Sequence, residues 1–286
     1  MQARQKTIGR PVSCKGIGLH SGREVGLCIL PAPENHGIRF ARADLPGRPV
    51  INARFKNVVD TSLATVIGGN GAIVSTIEHL MAAFAGMGID NALVETDSYE
   101  VPIMDGSAAP FTKLLEEAGA AEQDAPRTYF RIHEPIRLED GDRWVEITPA
   151  DTFTITCTIR FASAAIGEQS FSFPVEADFF AKEIAPARTF GFLQEVDFLR
   201  VFGLAKGGSL DNAVVIDGEK VINESGLRFP DEFVRHKTLD CLGDFSLLGI
   251  PILGHIRTHK SGHAFNHAFL ETFFASRRSW KTATLA

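Results

Sequence analysis

The chain has 286 residues, 44% of them hydrophobic and 22% charged, and a formal net charge of −6 at pH 7. This composition is typical of a globular protein with a large core, and the acidic total gives no support to nucleic-acid binding. No run of eighteen apolar residues predicts a membrane span, and the N-terminus lacks the apolar stretch of a signal peptide, so we expect a cytoplasmic protein.

The first 60 or so residues are predicted to form strands and turns. Residues 23–30 alternate partially in hydrophobicity and run into a proline-rich break. Residues 72–86 are predicted as a helix with a polar start and a glycine stop. A buried strand is expected at 91–95, and a second helix at 109–119, which has proline in its first turn and glycine at its end.

A short, small and polar stretch at 120–126 is our predicted domain boundary. It separates an N-terminal α+β domain, 1–125, from a C-terminal α+β domain, 126–286. Each half runs strands, helix, strand, helix, which fits two similar α+β halves with a cleft between them. The second half is predicted to contain strands at 129–138, 144–148, 152–159 and 213–216, a Phe-rich segment at 171–202, and helices at 231–248 and 264–277.

The helix at 231–248 carries His236, Asp240 and Asp244 at i, i+4 and i+8, along one stripe. His236 and Asp240 differ in position by roughly 6 Å along the helix axis, so they can bind one metal ion. Asp244 lies roughly 12 Å from His236 along the same axis, too far to share that ion, and is better placed to support groups around the metal. A catalytic zinc with three protein ligands needs one more. The dipeptide Glu78-His79 is the best candidate to supply it.

Two histidines and one carboxylate form a known catalytic zinc set, here His79, His236 and Asp240, and the same set would accept ferrous iron. Zinc with an open position acidifies water and polarises a carbonyl, and Glu78 would be the base for that water. Simpler interpretations exist: Ser75-x-x-Glu78 matches a helix capping box, and the His236–Asp240 spacing fits a surface pair. The combination favours a metal site because its pieces complete one mechanism.

His263 lies in a loop, Lys260-Ser261-Gly262-His263-Ala264, that opens a helix, which suits a histidine that meets a substrate. When protonated it could deliver a proton to a leaving amine, and Asp244 could hold it charged and oriented. An anionic substrate would need a local basic patch, for which the candidates are Arg143, Lys237, Arg257 and Lys260. The four cysteines are scattered without C-x-x-C spacing, which argues against a disulfide framework or a cysteine zinc site.

At this point the chain resembles one family over about residues 5–275, the zinc-dependent UDP-3-O-acyl-N-acetylglucosamine deacetylases of lipid A biosynthesis. The segments that carry the resemblance are Gly16-Ile17-Gly18-Leu19-His20-Ser21-Gly22, Ser75-Thr76-Ile77-Glu78-His79-Leu80, Pro102-Ile103-Met104-Asp105-Gly106-Ser107-Ala108, Ala187-Arg188-Thr189-Phe190-Gly191-Phe192, Phe233-Val234-Arg235-His236-Lys237-Thr238-Leu239-Asp240 and Lys260-Ser261-Gly262-His263-Ala264.

The resemblance implies an α+β fold of two similar domains, each a mainly antiparallel sheet with two helices, with the helices packed between the two sheets. It also implies a single catalytic zinc. The implied ligands are His79, His236 and Asp240. The implied chemical groups are Glu78 as base, His263 as general acid with Asp244 behind it, and Thr189 as hydroxyl donor to the oxyanion.

The implied substrate is an amphiphilic UDP-sugar. Phe161 would stack on the uracil, Phe190 and Phe192 would contact the substrate, and Lys237 would hold its anionic part. The apolar segment at about 190–216 would form the acyl-chain passage. Two departures from the family pattern fall in the presumed nucleotide region. After Phe161 the chain has Ala162-Ser163-Ala164, where the family has a polar residue and then His-Pro. Arg143, our candidate for a nucleotide contact, stands where the family has a lysine.

Three functional hypotheses follow. The first is hydrolysis of the N-acetyl amide of UDP-3-O-acyl-N-acetylglucosamine to the free amine and acetate. The second is a zinc amidohydrolase of another soluble amide. The third is a metal-stabilised binding module, which is disfavoured because structural zinc sites are usually four-coordinate and rich in cysteine. We expect a monomer.

Overall fold

The structure is a computed structural model that describes residues 3–285, and its first half is built on a five-stranded sheet. The strands of this half are β1 (Arg4–Ile8), β2 (Val12–Ile17), β3 (Glu24–Pro31), β4 (Ile38–Arg42), β5 (Val50–Asn52), β6 (Val58–Asp60), β7 (Val66–Gly69), β8 (Ala72–Val74), β9 (Ala92–Thr96) and β10 (Ala120–Pro126). The sheet order is β2-β3-β9-β4-β5, antiparallel except between β9 and β4. Along β3, Val25, Leu27 and Ile29 point into the core, as a one-sided sheet requires.

The two helices of this half are α1 (Glu78–Met87) and α2 (Ala109–Ala118). The prediction of a helix from residue 72 is wrong, because 72–74 form β8 and the backbone then turns through Thr76 at a φ of 59°. The capping-box interpretation fails with it: Ile77 is the N-cap and makes no side-chain bond, and the carboxylate of Glu78 accepts the N–H of Thr65. The predicted stop at Gly86 is also misplaced, because α1 runs through Gly86 to Met87 and Gly88 ends it in the left-handed region.

The polar stretch at 120–126 is a strand rather than an irregular linker. As β10 it pairs antiparallel with β1 along almost its whole length. Side chains of β10 alternate between half-buried and exposed, so the strand lies on the surface of the protein. The division into domains 1–125 and 126–286 stays a prediction.

The second half contains a seven-stranded sheet and four helices. Its strands are β11 (Thr128–Ile132), β12 (Ile136–Asp140), β13 (Arg143–Thr148), β14 (Phe153–Arg160), β15 (Glu168–Pro174), β16 (Phe190–Phe192), β17 (Val214–Asp217), β18 (Lys220–Val221), β19 (Ile252–His259) and β20 (Trp280–Thr284). Its helices are α3 (Ala177–Phe179), which continues into a π-helical turn, α4 (Leu193–Val201), α5 (Glu232–Ser246) and α6 (His263–Ala275). The strand expected at 129–138 is two strands, β11 and β12, and the patterns missed β19 and β20.

The sheets enclose the helices. In the first half α2 packs on β2 and α1 packs on α2; in the second half α5 packs on β14 and α6 on β12. The two halves meet where α1 crosses α5, and buried side chains from both form one core cluster. The predicted α+β class with sandwiched helices is therefore confirmed. Within residues 3–285, every helix is too short or too polar to cross a membrane.

Candidate active site

The crossing of α1 and α5 builds the site, because each helix contributes polar side chains at the point of contact. Glu78 and His79 come from the first turn of α1, and α5 contributes a histidine and two aspartates from three successive turns. Gly243 allows the close approach: a Cβ at that position would lie 2.1 Å from the carbonyl oxygen of Glu78. The polar side chains are buried, so each needs a partner.

His79, His236 and Asp240 form a group that can hold a metal ion, since one ligand atom from each lies within 4.8 Å of the others. Oδ1 of Asp240 is 3.6 Å from Nε2 of His79 and 3.4 Å from Nε2 of His236. This Oδ1 atom is buried and has no hydrogen-bond partner among the described residues, which is the condition expected of a metal-ligating oxygen. The second ring nitrogen of His236, Nδ1, lies 3.1 Å from the carbonyl oxygen of Ala187, which fixes the ring as ligating histidines require.

The protonation states of His236 and Asp240 are those of metal ligands. Burial lowers the pKa of His236 to about 3, so its imidazole is neutral. Burial would raise the pKa of Asp240, but the ammonium group of Lys237 holds it well below its usual range and keeps the carboxylate ionised. Lys237 Nζ donates to Oδ2 of Asp240 at 3.0 Å, which leaves Oδ1 for a cation. The residues therefore fit a divalent metal with nitrogen and oxygen ligands.

His263, at the N-terminus of α6, faces the same site and is bonded to a further carboxylate, that of Asp244. Its Nδ1 lies 2.8 Å from Oδ2 of Asp244, and its Nε2 lies 3.9 Å from Oε1 of Glu78. Burial alone would lower the pKa of His263, but Asp244 and then Glu78 raise it to about 10. His263 is thus held as an imidazolium, with its free nitrogen directed at Glu78.

Glu78 is buried beside the metal group without belonging to it. Its Oε2 accepts the N–H of Thr65 at 3.0 Å. Burial raises the pKa of Glu78, which moves this carboxyl towards the range of a general base. Glu78, His263 and the metal group therefore converge on one centre.

A cavity of about 400 Å³ opens over this centre. Thr189, Lys237 and Arg143 line it together with Glu78, the metal group and His263. The guanidinium of Arg143 lies 5.2 Å from the ring centroid of Phe265 and pairs with Asp140. Lys237 thus sits at the wall of the cavity, next to the metal group.

A second, apolar groove of about 370 Å³ adjoins this cavity. Thr189 and Phe190 are among the residues that line both, and α4 contributes Leu193, Val196 and Leu199 to the apolar wall of the groove. This groove coincides with the segment at 190–216 that the resemblance assigns to an acyl chain.

The three candidate aromatic residues cluster, but they are not equivalent. The ring of Phe161 lies 5.7 Å from that of Phe190 and 6.2 Å from that of Phe192. Phe190 lines both cavities, and Lys237 Nζ lies 5.5 Å from its ring centroid. Phe161 and Phe192 stand behind Phe190, outside the lining of the main cavity.

Sequence patterns missed three polar supports of the site. Thr65 contacts both Glu78 and Asp244, Asn266 Nδ2 donates to Oδ2 of Asp244 at 2.8 Å, and Arg188 binds the buried Glu232 at 2.8 Å. Asn266 was accessible to sequence reasoning, because it lies one helical turn after His263. No local sequence pattern marks Thr65 or Arg188 as part of the site.

Comparison with known proteins agrees with this geometry. The family model described as LpxC, UDP-3-O-acyl N-acetylglycosamine deacetylase, matches residues 5–275. A UDP-3-O-acyl-N-acetylglucosamine deacetylase of Myxococcus xanthus is 54% identical over 264 residues, 92% of this chain and 84% of the relative. One of Syntrophotalea carbinolica is 52% identical over 277 residues, 97% of this chain and 90% of the relative. The chain therefore belongs to the family of UDP-3-O-acyl N-acetylglycosamine deacetylases.

Proposed function

We propose that this chain hydrolyses the N-acetyl amide of UDP-3-O-acyl-N-acetylglucosamine to the free amine and acetate, the committed step of lipid A biosynthesis. The observation that carries the proposal is the convergence of a metal group, a buried carboxylate and a charged histidine at one centre. The names of the relatives supply the substrate.

The proposed metal is one zinc ion bound by His79, His236 and Asp240, with ferrous iron as the alternative. A zinc ion there supplies an acidified water and polarises the acetyl carbonyl. The neutral imidazole of His236 and the ionised carboxylate of Asp240 are the ligand forms this requires. Both ions suit two nitrogen ligands and one oxygen ligand, so availability selects between them.

The proton movements belong to Glu78 and His263. Glu78 takes a proton from water as the water oxygen bonds to the acetyl carbon. The hydroxyl of Thr189, at the cavity wall, donates a hydrogen bond to the developing oxyanion. His263 then gives its proton to the amide nitrogen as the C–N bond breaks, which releases acetate and the amine. Asp244 holds His263 in its charged form until that proton is transferred.

The substrate contacts are proposed from the cavity walls. Lys237 holds the anionic part of the substrate, and Phe190 contacts the sugar side of it, supported from behind by Phe161 and Phe192. The resemblance assigns uracil stacking to Phe161. Arg143 supplies a positive charge towards the nucleotide. The apolar groove along α4 takes the 3-O-acyl chain.

The competing hypothesis is an amidohydrolase of another soluble amide. The apolar groove argues against it, because a short polar amide would leave that groove exposed to water. A cytoplasmic location, a monomeric state and the absence of nucleic-acid binding stay predictions.

The test is acetate release from UDP-3-O-acyl-N-acetylglucosamine and from the same sugar nucleotide without its acyl chain. We expect turnover of the first and a large loss of kcat/KM with the second. Glu78→Gln should bind zinc normally and lose about 10²–10⁴-fold in kcat. Equal kcat/KM for the two substrates would refute the acyl-chain assignment, and normal turnover by Glu78→Gln would refute the base.

A further inference from the structure

Thr65 is the one residue among those the structure describes that hydrogen-bonds both Glu78 and Asp244. It lies between β6 and β7 and is 2% exposed. Its backbone N–H donates to Oε2 of Glu78 at 3.0 Å, and its Oγ1 lies 2.6 Å from Oδ1 of Asp244. The proposed base and the carboxylate behind the proposed acid are therefore held by the backbone and the side chain of a single residue.

The direction of the hydroxyl bond is fixed by chemistry. Because an ionised carboxylate only accepts, the hydroxyl of Thr65 donates to Oδ1 of Asp244. The other oxygen, Oδ2, accepts from Asn266 Nδ2 and faces His263 Nδ1, both at 2.8 Å. Each oxygen of Asp244 thus has its own partners, and the carboxylate plane cannot rotate without breaking one set. That plane sets the tilt of the His263 ring.

The backbone bond fixes the other reacting group. With Oε2 of Glu78 bound to the N–H of Thr65, the remaining oxygen, Oε1, is the one that faces His263 Nε2, at 3.9 Å. The separation between the proton acceptor and the proton donor is therefore set by the geometry of Thr65. A displacement of this residue moves both groups together.

Thr65 also connects the two groups to the wall of the cavity. Thr61, Ser62 and Leu63, which precede it with only Ala64 between, line the cavity. Asp60 anchors this loop by accepting from the backbone N–H and the hydroxyl of Ser62 at 3.0 and 2.7 Å. The segment that meets the substrate therefore ends at the residue that holds the base and the acid.

We infer that Thr65 is a positioning residue for the hydrolytic reaction, acting through its hydroxyl on Asp244 and His263 and through its N–H on Glu78. The inference rests on the proposed function. It concerns orientation rather than binding, because Thr65 does not line the cavity. Loss of the hydroxyl should therefore lower kcat and leave KM and metal content unchanged.

The test compares Thr65→Val, which keeps the shape and removes the hydroxyl, with Thr65→Ser, which keeps the hydroxyl. We expect Thr65→Val to lose about 10- to 100-fold in kcat, as is usual for a residue that orients a reacting group, and Thr65→Ser to restore most of that loss. Thr112→Val is the matched control, because Thr112 is equally buried but its hydroxyl bonds only the carbonyl of Ala108 in α2.

A second readout does not depend on turnover. The Nδ1 proton of His263, hydrogen-bonded to Asp244, should give a strongly downfield proton resonance in both metal-loaded and metal-free protein. We expect this resonance to shift or broaden in Thr65→Val and to persist in Thr65→Ser and Thr112→Val. If Thr65→Val fails to fold, Thr65→Ala, which also lacks the hydroxyl, is used in its place in both measurements.

The outcomes separate this inference from the proposed function. Normal kcat and an unchanged His263 resonance in a folded variant without the hydroxyl would overturn the role of Thr65, while an inactive Glu78→Gln would leave the function standing. Equal losses in Thr65→Val and Thr65→Ser would also overturn it, because the hydroxyl would then be irrelevant. Full activity of Glu78→Gln would instead contradict the proposed function.

Discussion

Nδ1 of His263 lies 2.8 Å from Oδ2 of Asp244, and this contact joins the N-terminus of α6 to the last turn of α5. The carboxylate raises the pKa of His263 to about 10 against the effect of burial. A histidine that must be protonated to act therefore remains charged well above neutral pH.

Asp244→Asn should narrow the alkaline range of activity. Without the Asp244 carboxylate, the pKa of His263 falls from about 10 towards its usual value of about 6.5, because only the weaker effects of the remaining carboxylates oppose burial. Because His263 acts in its protonated form, kcat/KM falls as pH rises through that pKa. The measurement is kcat/KM between about pH 6 and pH 10. A constant ratio of wild-type to variant activity across this range would show that Asp244 does not set the charge of His263.

Removal of the metal should abolish acetate release and leave the fold in place, because the core is formed by apolar contacts on both sides of the α1–α5 crossing. Circular dichroism should keep its helix and strand signals. Adding back zinc at about a thousand times its Kd should raise the free energy of unfolding by about 4 kcal/mol. Reconstitution with ferrous iron tests the alternative ion. Acetate release from protein shown to be metal-free would rule out a catalytic metal.

Gly243→Ala should damage both stability and activity. The added Cβ would meet the carbonyl oxygen of Glu78 at 2.1 Å, so the two helices must separate. Overpacking of this kind costs about 1–3 kcal/mol, and here it also displaces the proposed base. Urea unfolding and kcat measure the two effects. Gly69→Ala is the control, because its nearest neighbour atom would be 3.8 Å away. Equal stability of the two variants would show that α1 and α5 can move apart freely.

Glu232→Gln should reduce stability in a pH-dependent way. Burial would raise the pKa of Glu232, but bonds from Arg188 and Arg228 hold it below its usual value. Its stabilising effect is therefore present at neutral pH and is lost as pH falls through the folded-state pKa. We expect a loss of about 3–5 kcal/mol in the free energy of unfolding at pH 7, because Arg188 is left unpaired and buried.

The matched control for that variant is Glu168→Gln, whose partner Arg160 lies 3.8 Å away on the surface. Exposed pairs contribute at most about 1 kcal/mol. Urea unfolding at neutral and at acidic pH measures both variants. The difference between wild type and Glu232→Gln should shrink at acidic pH, and a difference that stays constant would mean that the charge of Glu232 is not its cause.

Helical periodicity was the most informative part of the sequence. It predicted that His236 and Asp240 share a face, and their ligand atoms lie 3.4 Å apart. It also predicted that Asp244 is too distant to join them, and the structure pairs Asp244 with His263 instead. Such predictions succeed because the spacing of side chains along a helix depends on local geometry alone.

Contacts between distant segments could not be predicted in this way. The start of α1 was misplaced because the Ser75 backbone pairs with residues 99–101, which no local pattern reveals. Thr65 was missed for the same reason: its partner Asp244 is 179 residues away, and a lone threonine between two strands has no signature. Arg188 and Glu232, 44 residues apart, have none either.

The pairing of β10 with β1 has a mechanical consequence. The chain leaves the first half along a neighbouring strand, and Arg127 then anchors it again, with its N–H on the carbonyl of Ala3 and its guanidinium on Asp90. Among residues 3–285, no unpaired linker separates the two halves, because β10 is paired up to Pro126 and Arg127 is bonded through both its backbone and its side chain. We therefore expect substrate to reach the site through the cavity that residues 61–63 line, without a hinge motion between the halves.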